Sequence, residues 1–169
     1  LVVQLADPGL CSWFSEQAIS AGKAAGRDMK DYRVLSCAPV WIGDRDTGIQ
    51  QTKWFPALVG NHVADIVEKY GKDSDLVPQS LTDYIDSRRA GGAGGDAYNY
   101  RQHADKDSDN TYYITPEISE SFSIIGPVEK HVEKIKQLEA AGVTQFTLYL
   151  TNGSEEQIVA DYGEHVIPQ

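Results

Sequence analysis

Hydrophobic and polar positions alternate strictly in one segment near the end of the chain. In residues 143–151, Phe146, Leu148 and Leu150 fall on one face of an extended chain. A period of two residues is typical of a β-strand with one apolar face. The opposite face carries polar or amphipathic side chains, namely Gln145, Thr147, Tyr149 and Thr151.

Two further strands are predicted from less regular patterns. Leu1–Ala6 is a continuous apolar run interrupted only by Gln4, as expected for a strand that is covered on both faces. A second strand is predicted at about Arg33–Ile42, and Pro39 lies within it. Because proline cannot donate to a sheet, we expect a bulge or an unpaired position there.

Segments with helical periodicity lie between and after these strands. Asp7 and Pro8 provide an N-cap and a first-turn proline for a helix that ends at Gly26. A second clear helix opens at Gly126–Pro127 and ends at Gly142, and a last helix is predicted at about Ser154–Tyr162. The apolar stripe of the helix after Pro127 comprises Val128, Val132, Ile135 and Leu138, which places His131 on its outer face.

The segment Lys53–Gly71 combines a helical apolar pattern with a proline and a glycine. We predict a first helix that ends near Phe55 and a second that begins at Asn61, a good N-cap residue. In this second helix His62 and Asp65 are three positions apart and share a face. Two interpretations stay open: a kinked core helix with a solvated His–Asp pair, or part of a functional site.

Strands and helices therefore alternate as βα, βα, an irregular insert at 72–115, and αβα. This order is typical of an α/β protein with parallel strands and right-handed connections. Three strands are too few for a sheet covered by this many helices. We therefore predict one partial domain, residues 1–169, that belongs to a (β/α)8 TIM barrel. The chain opens on LVVQLA without an initiator methionine, so we expect it to be a piece of a longer protein.

Composition narrows the range of partners and locations. The formal net charge of -10 argues against nucleic acid and anionic membranes as partners. No apolar run approaches the ~20 residues that cross a bilayer. The two cysteines, Cys11 and Cys37, are expected to be free thiols in a reducing compartment, and a cytoplasmic location is predicted.

Three motifs in the sequence resemble parts of known binding sites. The acidic run at 105–110 resembles the start of a calcium loop, but Asn110 replaces its glycine and Pro116 its final glutamate. A calcium- or sugar-binding module is therefore a weak alternative. The glycine cluster at 90–95 lacks the strand and helix that a phosphate loop needs. The four histidines show no metal spacing, and no metal site is predicted.

Six separated blocks of the chain resemble, in order, the luciferase-like monooxygenases, and within them the subgroup that depends on coenzyme F-420. The blocks are QLADPGLCSWFSEQ, SCAPVWIGD, KWFPALVGNHVADIVEKYG, VPQSLTDYI, IIGPVEKHVEKIKQLEAAGVTQFTLYL and ADYGEHVIP. The resemblance implies the carboxyl-terminal half of a TIM barrel, comprising strands six to eight with their helices. It also implies an oxidoreductase or monooxygenase that uses F-420 or FMN on a small-molecule substrate, usually as a homodimer. The phosphate-binding segment of the family would precede Leu1, so the chain alone is expected to be inactive.

The resemblance also places candidate site residues at the carboxyl ends of the strands. Gln4, Asp7 and Cys37 are expected to bind the cofactor. Asn61 and Tyr149 are expected to line the substrate cavity. His62 is the expected acid or base of a hydride transfer, with Asp65 orienting it. The alternative is a non-catalytic half barrel that serves as an assembly or interaction module.

Overall fold

The computed structural model describes residues 1–60, 79–90, 99–102, 104–151 and 153–169. These residues form a parallel sheet with helices packed against it, which confirms the α/β class. No helix in these ranges is long and apolar enough to cross a bilayer. The strands are β1 (Val2–Val3), β2 (Leu35–Ile42), β3 (Ile124–Gly126) and β4 (Gln145–Tyr149). The helices are α1 (Pro8–Ala24), α2 (Arg45–Thr52), α3 (residues 54–60), α4 (Gln79–Ala90), α5 (Pro116–Phe122), α6 (Val128–Ala140) and α7 (Glu155–Asp161), the last running into a π-turn at Tyr162–Val166.

The four strands are all parallel and are organised around β2. β1 pairs with the start of β2, β4 pairs with its first five residues, and β3 pairs with its end. The chain after β1 also lies beside the residues before β3, since the Ala6 amide donates to the Phe122 carbonyl at 2.9 Å. The prediction of three strands was wrong, because Ile124–Gly126 is too short to show a period of two.

Pro39 marks the point in β2 where its pairing changes. The ladder with β4 ends at the pair Pro39–Tyr149, and the ladder with β3 begins at the next residue, Val40. A residue without an amide proton fits this junction, because it has no donor to offer to either neighbour. The predicted irregularity at Pro39 is thus a change of partner strand, and the strand itself continues to Ile42.

The two faces of the sheet have different surroundings. The face that carries Ser36, Ala38 and Val40 is buried. Phe146 and Leu148 of β4 pack against the same core, whereas Gln145 and Thr147 are exposed. Within β4 the alternating pattern has the predicted consequence, with Phe146 and Leu148 on the covered face and the polar side chains on the opposite, more open face. Leu150, which was also predicted on the apolar face, lies beyond the strand and is exposed.

Local signals set the ends of the helices. The Asp7 carboxylate accepts from the Leu10 amide at 2.8 Å and begins α1, and Gly26 follows its end with a φ of 73°. Gly142, with a φ of 91°, follows α6. Both glycines occupy the left-handed region that terminates helices at low cost.

The predicted break after Phe55 was wrong. Lys53 is the one non-helical residue between α2 and α3, and α3 runs through Pro56. Pro56 is the third residue of α3, where no amide donor is needed, so it is compatible with the first turn. Asn61, the predicted start of the second helix, lies outside the described residues.

The described part of the insert folds onto the core. The short helix predicted near residues 79–89 is confirmed as α4, and its Tyr84 is fully buried. The Tyr84 hydroxyl donates to the Pro56 carbonyl at 3.0 Å and lies 3.1 Å from the Tyr113 hydroxyl. The Tyr84 ring also packs against Phe122. This part of the insert therefore contributes buried aromatic side chains to the molecule.

Candidate functional site

Three residues proposed for binding meet on the more open face of the sheet. The Gln4 side-chain amide donates to the Tyr149 hydroxyl at 2.8 Å, which joins the ends of β1 and β4. Cys37 pairs in register with Thr147, two residues before Tyr149, and its thiol lies 3.8 Å from the Val3 carbonyl. Gln4 is exposed, Tyr149 is half-buried and Cys37 is buried. The arrangement is a hydrogen-bonded pair, Gln4 and Tyr149, near the buried thiol of Cys37.

Two aromatic residues of α3 hold the Tyr149 ring in place. The Trp54 and Phe55 rings lie 6.3 and 5.2 Å from it, measured between centroids. Both are fully buried, and the Trp54 indole donates to the Gln51 carbonyl. Tyr149 therefore presents its hydroxyl from a rigid apolar support at the carboxyl end of β4.

Both ionisable groups of this cluster are kept protonated at neutral pH. Burial raises the pKa of the Tyr149 hydroxyl, and the nearby Cys37 adds to this effect, while the hydrogen bond from Gln4 acts against it. Burial also raises the pKa of the Cys37 thiol. The site consequently offers neutral hydrogen-bonding groups rather than a charged nucleophile.

Asp7 does not join this cluster. One carboxylate oxygen caps α1 through the Leu10 amide, and the other accepts from the Ser121 hydroxyl at 2.7 Å. Its electrostatic neighbours are Cys11 and Lys134, whereas Gln4 bonds to Tyr149. In the structure Asp7 joins α1 to α5, and no ligand contact of this carboxylate is needed to explain its position.

Lys134 is a partly buried cation that the sequence patterns did not single out. Its ammonium group donates to the carbonyls of Glu120, Ser121 and Ser123, at 2.7, 3.3 and 3.4 Å. Burial lowers the pKa of Lys134, and the carboxylate of Asp7 acts in the opposite direction. The ammonium group satisfies carbonyls at the end of α5, as cations commonly do at helix C-termini. The apolar pattern gave no signal for it, because His131, three positions earlier on the same side of α6, was itself predicted to lie on the outer face.

His131 lies inside the molecule, and its predicted position on the outer face of the helix was wrong. Its Nδ1 is 2.8 Å from the Tyr162 hydroxyl, and its Nε2 is 3.1 and 3.2 Å from the carbonyls of Trp41 and Gly126. Burial lowers the pKa of His131 despite its contacts with these carbonyls. Both ring nitrogens of His131 are thus engaged in hydrogen bonds within the fold.

The predicted catalytic pair and its neighbour, His62, Asp65 and Asn61, lie outside the described residues. Their roles stay predictions. The described residues nearest to them in sequence are those of α3, whose Trp54 and Phe55 contact Tyr149.

The acidic run at 105–110 forms local turns. The Asp105 carboxylate accepts from the Asp107 amide. The buried Asn110 side chain accepts from the Asn99 backbone amide through Oδ1 and donates to the Asn99 carbonyl through Nδ2. Among the described residues, no three His, Cys, Asp or Glu side chains are placed to hold a metal ion.

Comparison with known proteins identifies a similar fold. The chain resembles the structure of a coenzyme F420-dependent tetrahydromethanopterin reductase from Methanopyrus kandleri, with a TM-score of 0.54 and 22% sequence identity. The match covers 99% of this chain and 44% of the reductase chain, so the present chain spans less than half of that protein's length. No protein-family model and no curated protein match the sequence. The comparison establishes the similarity of the fold.

Proposed function

We propose that this chain is the carboxyl-terminal part of an oxidoreductase of the luciferase-like class, built as a partial TIM barrel. The observation that carries the proposal is the similarity of nearly the whole chain to an F-420-dependent reductase, together with the meeting of Gln4, Cys37 and Tyr149 on the open sheet face. Ligands of parallel α/β folds bind at the carboxyl ends of strands, where Gln4 and Tyr149 lie.

The cofactor of this proposal is F-420, a deazaflavin, with FMN as the alternative. The described residues fit such a group at one point, because the neutral Tyr149 hydroxyl on the open sheet face suits a carbonyl oxygen of a planar heterocycle, while the fully buried Trp54 and Phe55 rings support Tyr149 from below the surface. When bound, the cofactor supplies the hydride chemistry, and the protein binds and orients it. In this proposal Asn61 borders the small-molecule substrate, and His62, oriented by Asp65, exchanges a proton with it. The net negative charge of the chain favours a small-molecule substrate over nucleic acid. We also propose a cytoplasmic location and a homodimeric state.

Cofactor titration tests the proposal directly. The complete gene product that contains residues 1–169 should bind F-420 with a saturable change in the absorbance or fluorescence of the cofactor. Residues 1–169 expressed alone should bind neither F-420 nor FMN measurably, because the phosphate-binding segment that the resemblance implies is not among them. Absence of binding by the complete product would contradict the proposal. Tight stoichiometric binding by residues 1–169 alone would contradict the assignment of the phosphate site.

A second candidate function is a non-catalytic half barrel that acts as an assembly module. The observation that favours it is the open outer edge of the sheet, since in the described residues β1 and β4 each pair only with β2. Unpaired strand edges are templates for association with another chain. A stable self-complex of residues 1–169 together with a complete product that binds no flavin or deazaflavin would favour this candidate.

A further inference from the structure

We infer that the Tyr149 hydroxyl donates a hydrogen bond to a ring carbonyl oxygen of the bound cofactor, and that Gln4 is the residue that positions this hydroxyl. The inference rests on the proposed function and adds to it one specific contact, a hydrogen bond to the ring system of the cofactor. It assigns to Gln4 a role that acts through Tyr149 and not through the cofactor itself.

The direction of the Gln4–Tyr149 hydrogen bond determines where the hydroxyl proton can go. The amide nitrogen of Gln4 is the donor, at 2.8 Å, so the phenolic oxygen accepts. The hydrogen of the same hydroxyl must then point towards another acceptor. Within the described ranges, Tyr149 has no second hydrogen-bond partner, so its hydrogen remains available on the open face of the sheet.

The position of the hydroxyl is well defined before any ligand arrives. The backbone of Tyr149 pairs in register with Pro39 of β2, the central strand. Its ring packs against Trp54 and Phe55, both of which are fully buried. A donor held by strand pairing and aromatic packing loses little conformational freedom on binding, which favours a specific contact.

The surroundings favour a neutral carbonyl over a phosphate as the acceptor. The described groups that influence the Tyr149 hydroxyl are Cys37 and Gln4, and both are uncharged at neutral pH. Phosphate sites use cationic side chains or several amides at a helix N-terminus, and among the described residues neither contributes to this cluster. A planar ring carbonyl needs only one well-placed donor, and Tyr149 provides it.

Titration of the complete gene product with two ligands tests this inference. The ligands are F-420 and the corresponding 5-deazaflavin nucleoside without its phosphate tail. Tyr149→Phe removes the donor and keeps the ring, and it should raise the Kd for both ligands about 3- to 10-fold, the range for one neutral hydrogen bond. The absorption maximum of the bound chromophore should also shift relative to wild type, because the carbonyl loses its donor.

The positioning role of Gln4 is tested by reversing the polarity of its hydrogen bond. In Gln4→Glu the carboxylate accepts the Tyr149 hydrogen, so the hydroxyl no longer donates to the ligand. This variant should weaken binding as much as Tyr149→Phe, and the double variant should be no weaker than either single one. Gln145→Glu is the matched control, since Gln145 is an exposed residue of β4 that bonds only weakly to Thr147, at 3.4 Å. It should bind both ligands as wild type does.

The outcomes separate the inference from the proposed function. No binding of either ligand by the wild-type product overturns both. Binding by wild type that Tyr149→Phe leaves unchanged overturns the donor role alone, and an effect confined to the tail-bearing ligand assigns Tyr149 to the phosphate and overturns the ring contact. Additive losses in the double variant overturn the positioning role of Gln4. Thermal unfolding of each variant confirms that it is folded before titration.

Discussion

The environment of His131 shows how residues remote in sequence determine the state of one side chain. Two backbone carbonyls, those of Trp41 and Gly126, face Nε2, so this nitrogen carries the hydrogen. In the neutral ring Nδ1 is then an acceptor, and the Tyr162 hydroxyl donates to it. The single side chain therefore ties α6 to the ends of β2 and β3 and to the π-turn after α7.

This geometry predicts a loss of stability at acidic pH. Burial lowers the pKa of His131 below its usual value of 6.5, so the unfolded chain binds a proton that the folded chain excludes. The contribution of neutral His131 to the free energy of unfolding is fully present above pH 6.5 and declines as the pH falls towards the lowered pKa of the folded state. The other ionisable groups beside it are Tyr162 and Lys130.

Urea unfolding of wild type and His131→Gln between pH 5 and 7.5 measures this contribution. Because the variant lacks the titrating ring, its free energy of unfolding should depend less on pH, by up to about 1.4 kcal/mol per pH unit below 6.5. His165→Gln, at an exposed histidine beside Glu164, is the matched control for the loss of a histidine side chain. Equal slopes for wild type and His131→Gln would contradict the prediction.

The candidate site was predictable from sequence at the level of position but not of contact. The carboxyl ends of parallel strands meet at one edge, which is why Gln4 and Tyr149 lie together. The cofactor contact predicted for Asp7 stays a prediction. In the structure its carboxylate caps α1 through Leu10, as its N-cap signal indicated, and also accepts from Ser121. The same residue type, an aspartate, serves as a helix cap or as a binding residue, and only its contacts in the fold distinguish the two roles.

At the scale of elements, local signals predicted helix ends better than they predicted short strands. Caps and glycines act within a few residues, so the limits of α1 and α6 could be read directly. β3 has three residues and depends on its pairing with β2. This pairing joins Ile124 to Val40, 84 positions earlier in the chain, and nothing in the local sequence pattern indicates it. The predicted break after Phe55 was wrong for a related reason, because a proline in the first turn of a helix and a proline that ends a helix give the same local signal.

The contact between α3 and α4 depends on the absence of a side chain at Gly60. A Cβ atom at this position would lie 2.0 Å from Cζ of Tyr84 and 2.1 Å from its hydroxyl. Tyr84 is fully buried between Pro56, Tyr113 and Phe122, so it cannot move aside without disturbing them. The described insert helix is therefore attached to the core at a glycine.

We predict that Gly60→Ala destabilises the protein, although alanine is the better helix former. The added methyl group must displace the Tyr84 ring, and overpacking of this kind costs about 1 to 3 kcal/mol. Denaturant unfolding checks the loss. Gly163→Ala is the control, because a Cβ there meets no atom within 4 Å, and it should leave the stability unchanged or slightly raised. A neutral Gly60→Ala would show that α4 does not pack on α3 as described.

At the scale of the whole molecule, the four-stranded parallel sheet has two edges that no other described strand covers. β2 is paired on both sides, whereas the described outer strands β1 and β4 each have a single partner strand. Apolar side chains accompany these edges, since Val2 is 62% and Leu150 is 40% exposed. In the proposed enzyme these edges are covered by the remaining strands of the barrel.

Residues 1–169 expressed alone should therefore associate through these edges. Sedimentation should show a mass above the 18.6 kDa of one chain that rises with concentration. Lysine on an edge strand opposes pairing because a second chain would have to bury its charge, so Val2→Lys combined with Leu150→Lys should shift the mass towards one chain. Val159→Lys, at a 53% exposed position on α7, adds a lysine on a helix and not on an edge strand, so it should sediment as the same complex as unmodified residues 1–169. If the α7 variant dissociates the complex and the edge variant does not, association occurs through the helical surface and the edges are not the sites of assembly.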